Sequence, residues 1–139
     1  MVALNPKLLE SLTDPQIDAM VEIMLLAASS DGSLDYAEIA QLKKSLLQIN
    51  DLWLSHVDLD ARLAEAHKRI EGQPRAQRLT ELRCALEAQE HRAAALEMAV
   101  KVMAADGIIR TSEREMLLEA AASLGLDGDL AADIVKLAS

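Results

Sequence analysis

Val100–Leu124, VKVMAADGIIRTSEREMLLEAAASL, aligns without a gap on Leu25–Ile49, LLAASSDGSLDYAEIAQLKKSLLQI. Asp31 falls on Asp106, Gly32 on Gly107, Leu34 on Ile109, Glu38 on Glu113, Leu42 on Leu117 and Ile49 on Leu124. Each copy is an apolar helix, an Asp-Gly turn, an apolar residue two places on, and a helix start that carries an acid. Two helix–turn–helix units related by pseudo-symmetry can share one core, whereas a stacked solenoid needs about three or more repeats.

The rest of the chain reads as helices around this repeat. Ile17, Met20, Val21, Met24, Leu25 and Ala28 recur at helical spacing after a restart at Thr13-Asp14-Pro15. Asn5 and Pro6 predict a short leading helix to Leu12, and Ser55 is a candidate cap for a helix with Leu59, Leu63, Ala66 and Ile70 inward. Gly72-Gln73-Pro74 separates that helix from one over 74–89 with a Leu79, Leu82, Leu86 stripe. Glu90–Ala105 follows, then a helix capped by Thr111 or Ser112 and ended by Gly125, then a short one over Asp127–Leu137. Aromatic residues are 1% of the chain, with 5 Gly and 3 Pro, so strands and hairpins have little to work with. The expectation is all-α: one domain over residues 1–139, a compact bundle of seven or eight short helices. Met20, Met24, Met98, Met103 and Met116 lie on apolar stripes as core residues, Trp53 reads as a core anchor and Cys84 as a partly buried helix thiol.

Net charge is −9 over 139 residues, which disfavours nucleic acid as a partner. The charge is uneven: −7 over residues 1–61, +2 over 62–92 and −4 over 93–139. The basic middle, with Arg62, Lys68, Arg69, Arg75, Arg78 and Arg83, reads as a solvated face with i,i+4 partners such as Glu65 for Arg69, or as a docking surface for an acidic partner. One cysteine, no leader-like N-terminus and no long apolar run lead to an expectation of a cytoplasmic protein without membrane insertion. His56 with Asp60, His67 with Glu71 and Glu87 with His91 are expected surface pairs. No HExxH, phosphate-binding Gly-rich loop, GxSxG or paired Glu-x-x-His is present, so no enzyme activity is expected.

The two turns carry what chemistry remains. Asp31-Gly32-Ser33-Leu34 with Glu38, and Asp106-Gly107-Ile108-Ile109 with Glu113, resemble the second half of a calcium-binding EF-hand loop. The first half is missing: the earlier ligand positions hold Ala27 and Ser29, or Val102 and Ala104, so an ordinary EF-hand is rejected. If the pseudo-symmetry brings both turns together, Asp31, Asp35, Glu38, Asp106 and Glu113 form a candidate site for a divalent cation such as Ca2+, Mg2+ or Mn2+. The competing reading is turn chemistry alone. Asp35-Tyr36-Ala37-Glu38 is a capping box, and the two aspartates can bond their own turns. That reading fits the second copy less well, because Arg110 replaces Asp35 and a Ser112 cap would call on Glu115 rather than Glu113.

The duplicated pattern, best seen in Met103-Ala104-Ala105-Asp106-Gly107 with Glu113 and more loosely in Ser29-Ser30-Asp31-Gly32 with Glu38, resembles the TerB family from about Asp14 onward. These all-helical tellurite-resistance proteins are related to the N-terminal domain of DjlA-type co-chaperones. The resemblance implies a bacterial stress-response module working through protein partners, a homo-oligomer being compatible with it. It also implies metal chelation through Asp31, Glu38, Asp106 and Glu113. Serines before Asp31 and the arginine at position 110 depart from the family pattern. The alternative from a different class is a metal-free helical protein–protein interaction module.

Overall fold

The computed structural model describes residues 11–29, 35–49, 58–104 and 109–136. Within them the chain forms helices α1 (Asp14–Ala28), α2 (Tyr36–Ile49), α3 (Leu59–Gly72), α4 (Arg75–Ala85), α5 (Gln89–Ala104), α6 (Thr111–Ser123) and α7 (Gly128–Lys136), with no strand among the described residues. The all-α expectation holds.

α1 begins at a reciprocal cap: the Thr13 hydroxyl accepts the Gln16 N–H, and the Gln16 amide oxygen accepts that of Thr13 at 2.9 Å. From Ala19 to Ala28 every residue is buried. α5 is its counterpart, buried without interruption from Ala93 to Val100. Helices that are apolar all round must be enclosed by others. α1 and α5 pack on each other; α3, α6, α4 and α2 cover α1, and α2, α6 and α7 cover α5. The alanines at 93, 94, 95 and 99 keep the α5 surface thin; axes can approach more closely where contact side chains are small. One hydrogen bond ties the pair across the pseudo-symmetry, Gln16 Nε2 to His91 Nδ1 at 3.4 Å, between equivalent positions of the two halves. The expected Glu87–His91 pair is replaced by this contact. The five methionines assigned to the core are all buried.

Several boundaries differ from the sequence reading. Ser11 and Leu12 are not helical, and the remainder of the expected leading helix lies outside the described residues, as do Ser55, His56 and Trp53. The described cap of α3 is Asp58, whose Oδ1 accepts the Ala61 N–H. α4 stops at Ala85 rather than 89. Arg92 holds the break by donating to the carbonyls of Leu86 and Arg83, satisfying groups that a helix end leaves without partners. Cys84 is exposed, not partly buried, because its side of α4 faces away from the Leu79 and Leu82 stripe. The cap of α6 is Arg110 rather than Thr111 or Ser112, which moves Glu113 to the third helical position.

α6 ends in paired bonds from Gly125 N to Ala122 O and from Leu126 N to Ala121 O, both 3.0 Å, with Gly125 at φ +74°. A Cβ there would be strained and would meet the Arg83 guanidinium at 3.3 Å. Gly125→Ala should therefore lower the unfolding free energy by roughly 1–2 kcal/mol, read as a lower urea midpoint at unchanged m-value.

Candidate functional site

The two helix starts that follow α1 and α5 are built alike. Glu38 N–H donates to Asp35 Oδ1 at 2.8 Å and Asp35 N–H to Glu38 Oε1 at 3.4 Å. At α6 the Arg110 N–H donates to Glu113 Oε1 at 2.9 Å. An arginine side chain has no acceptor to return that bond; its Nε instead lies 3.3 Å from the same carboxylate oxygen. Glu113 thus holds the same capping position as Glu38, and the expected preference for Glu115 does not apply.

Glu38 and Glu113 line one cavity of about 110 Å3. Gln41, Ser45 and Arg110 share its wall, closed on the apolar side by Leu42, Val102 and Met103. Glu113 and Ser45 are buried, and Glu38 is half-buried. Ala28 and Met103, at the ends of α1 and α5, also touch the cavity. Asp35 is exposed and faces the neighbouring groove between α2 and α3 instead. Asp31 and Asp106 lie outside the described residues. Among the described residues no group of three or more His, Cys, Asp and Glu is gathered for a metal.

The oxygen donors on this wall are two carboxylates, a hydroxyl and an amide oxygen, with the Arg110 guanidinium against one of the carboxylates. Mg2+ is commonly held by one or two carboxylates with several waters retained. The Arg110 guanidinium already stands against Glu113 at this wall, a positive group where the carboxylates favour one.

Two further acids escaped the sequence reading. Glu22 is fully buried on α1, gripped by Arg69 Nε at 2.7 Å and by Arg78 through Nε at 2.6 Å and Nη2 at 2.8 Å. Hydrogen bonds to Glu22, outweighing burial, raise the Arg78 pKa and hold its guanidinium charged. Arg69 therefore pairs with α1, not with Glu65 on its own helix. Arg62 likewise reaches Asp14 and Asp18 on α1, and Arg75 reaches Glu119 on α6. The basic segment is largely engaged in clamping helices together. His67 and Glu71 do form the expected pair, at 2.7 Å. Glu97, the counterpart of Glu22 in the second half, is 2% exposed on α5 and its Oε2 has no hydrogen-bond partner. Burial, partly offset by Lys101, pushes its carboxyl above the usual glutamate range. Extending the repeat back from Leu25 to Glu22 would have aligned these two acids inside apolar runs.

Residues 16–134 match the family model described as Tellurite resistance protein TerB. No curated protein and no solved structure matches the chain.

Two outcomes follow from the buried charges. Arg78→Ala leaves Glu22 with one counter-ion and should cost about 3 kcal/mol of stability, the scale of a broken buried pair, measured by denaturant unfolding. Glu97 binds its proton more tightly folded than unfolded, so its contribution to stability falls as pH rises through the ordinary glutamate range and stays unfavourable above it. Glu97→Gln should raise the melting temperature at pH 7, and the gain should fade as pH falls below the unfolded glutamate pKa.

Proposed function

The chain belongs to the TerB family, and from that premise we propose that it is a bacterial stress-response module of the tellurite-resistance type which holds a hard divalent cation and acts through protein partners. The observation that carries the cation reading is the convergence of Glu38 and Glu113, one from each half of the repeat, on one oxygen-lined cavity. Asp31 and Asp106 enter the ligand set on the family resemblance alone, since they lie outside the described residues. Ca2+, Mg2+ and Mn2+ are the candidate ions, for the reason that every donor offered is an oxygen. Such an ion would neutralise carboxylates that approach from both halves of the repeat and so tie the two helix starts together. The protein is read as a binding module rather than a catalyst, and as acting without nucleic acid or membrane insertion. No described helix is long and apolar enough to cross a membrane.

Partner binding draws support from the groove beside the cavity. It has a volume of about 840 Å3, an Ile39 and Leu63 floor, and Tyr36, 87% exposed, at its rim. Asp35 and Glu38 sit at the same end of α2, one on the groove and one on the cavity. A second reading keeps the partner and drops the ion: Glu38 and Glu113 each already cap a helix, which is reason enough for both residues.

Thermal melts separate the two. A ligand that binds only the folded state stabilises it by about 2.7 kcal/mol at a hundredfold excess over Kd. Millimolar Ca2+, Mg2+ or Mn2+ should raise the melting temperature of the protein, and the Glu38→Gln, Glu113→Gln double variant should lose that response. Glutamine keeps the capping oxygen and gives up only the favourable charge at each helix start, so without metal the double variant should lose no more than about 2 kcal/mol. Melts unmoved by metal, with no saturable heat by calorimetry, leave the metal-free interaction module as the function.

A further inference from the structure

Gln16 and His91 occupy the same register position of the repeat, 75 residues apart, at the starts of α1 and α5. Both are half-buried. The polarity of their contact is fixed by a third group. The Thr13 backbone N–H can only donate, and it donates to Gln16 Oε1 at 2.9 Å. The amide oxygen of Gln16 is therefore engaged, and the Nε2 that remains is the atom 3.4 Å from His91 Nδ1. An amide nitrogen offers only donors, so Nδ1 accepts. An imidazole whose Nδ1 accepts is neutral and carries its proton on Nε2. We propose that this contact is a proton-sensitive latch between the two halves of the repeat: it closes on neutral His91 alone, and protonation of the ring opens either the contact or the cap of α1.

On protonation Nδ1 becomes a donor that faces a donor. Turning the Gln16 amide over would return an oxygen to the ring, but it would present Nε2 to the Thr13 N–H and break the reciprocal cap. Neither arrangement keeps both bonds. The start of a helix also disfavours a positive charge, and His91 is the third residue of α5. Among the described residues the one histidine within ion-pair reach of a carboxylate is His67. On α1, Asp14 and Asp18 are held by Arg62 and Glu22 by Arg69 and Arg78. Glu87 and Glu90 beside the ring in sequence are exposed, and Arg92 turns to the carbonyls of Leu86 and Arg83. Of the helices packed on α5, α2 and α6 direct Glu38 and Glu113 to the cavity at its other end, and Asp129, Asp133 and Lys136 of α7 are exposed. The latch is present while the ring is neutral and is lost as the ring gains a proton, so its contribution falls on acidification.

Two measurements on the full chain test it. Long-range proton–nitrogen spectra of the parent at pH 8, with the His91 signals identified by their loss in His91→Gln, should show the Nε2–H form of the ring. Thermal melts compared between pH 8 and about pH 5.5, the interval in which histidine ordinarily changes charge, should cost the parent about 2 °C more than His91→Gln, whose amide oxygen accepts at either pH. Gln16→Glu reverses the sign. Its carboxylate still accepts the Thr13 N–H and also attracts a protonated ring, so acidification should cost Gln16→Glu less than the Gln16→Glu, His91→Gln double variant. An Nδ1–H ring at pH 8, or equal pH responses in the parent and His91→Gln, overturns the latch.

Discussion

α1 and α5 carry apolar residues on every face, and neither can meet water anywhere along its middle. Burying a leucine or methionine side chain contributes on the order of 2 kcal/mol. Met20, Ile23, Met24 and Leu25 on one helix and Leu96 and Met98 on the other are among the largest fully enclosed side chains. The other helices are arranged to complete that enclosure. A charge placed within either central helix is carried inside with it. Glu22 is tolerable there because α3 and α4 each deliver an arginine to it, so the ion network follows from the packing of α1 and in turn fixes α3 and α4 against it. Breaking such a network by removing one partner is costly even where the intact network adds little net stability.

The same central pair explains why two distant segments form one site. Since α1 and α5 are matched in the repeat and lie together, their C-terminal ends come to one place, and the helices that follow begin there too. Glu38 and Glu113 meet for that reason. The symmetry is imperfect in charge. Glu22 has its two arginines while Glu97 has an oxygen without a partner, and Asp35 caps its helix where Arg110 sets a positive charge beside Glu113. In each pair the duplication keeps the backbone position while the electrostatic role changes.

Spacing along one helix found the partner of His67 but not that of Arg69. His67 and Glu71 pair at i,i+4 as expected. Arg69 had an equally well-spaced acid in Glu65 yet goes to Glu22, because a carboxylate deprived of water gains far more from a guanidinium than an exposed one does. The Glu113 assignment turned on two residues of helix boundary, from Ser112 to Arg110. With Arg110 as the cap, Glu113 rather than Glu115 closes the turn. A backbone N–H offered by an arginine is as good a donor as one offered by a serine, and only the side-chain half of the cap is missing.

By itself the sequence determined the helical class, the duplication, the methionine and leucine core and the equivalence of Glu38 and Glu113 in the repeat, because periodicity and repetition are properties of the chain read along its length. It also carried the family, through the short Asp-Gly and Glu pattern of the second copy. The tertiary structure alone decided that Asp35 turns to the groove rather than the cavity, that Arg62, Arg69 and Arg78 clamp α3 and α4 to α1 while Lys68 and Arg83 stay exposed, and that Arg110 stands beside Glu113. Those are matters of which faces meet across the core, and the free energy that selects them comes from desolvating side chains distant in sequence, a term no local spacing encodes.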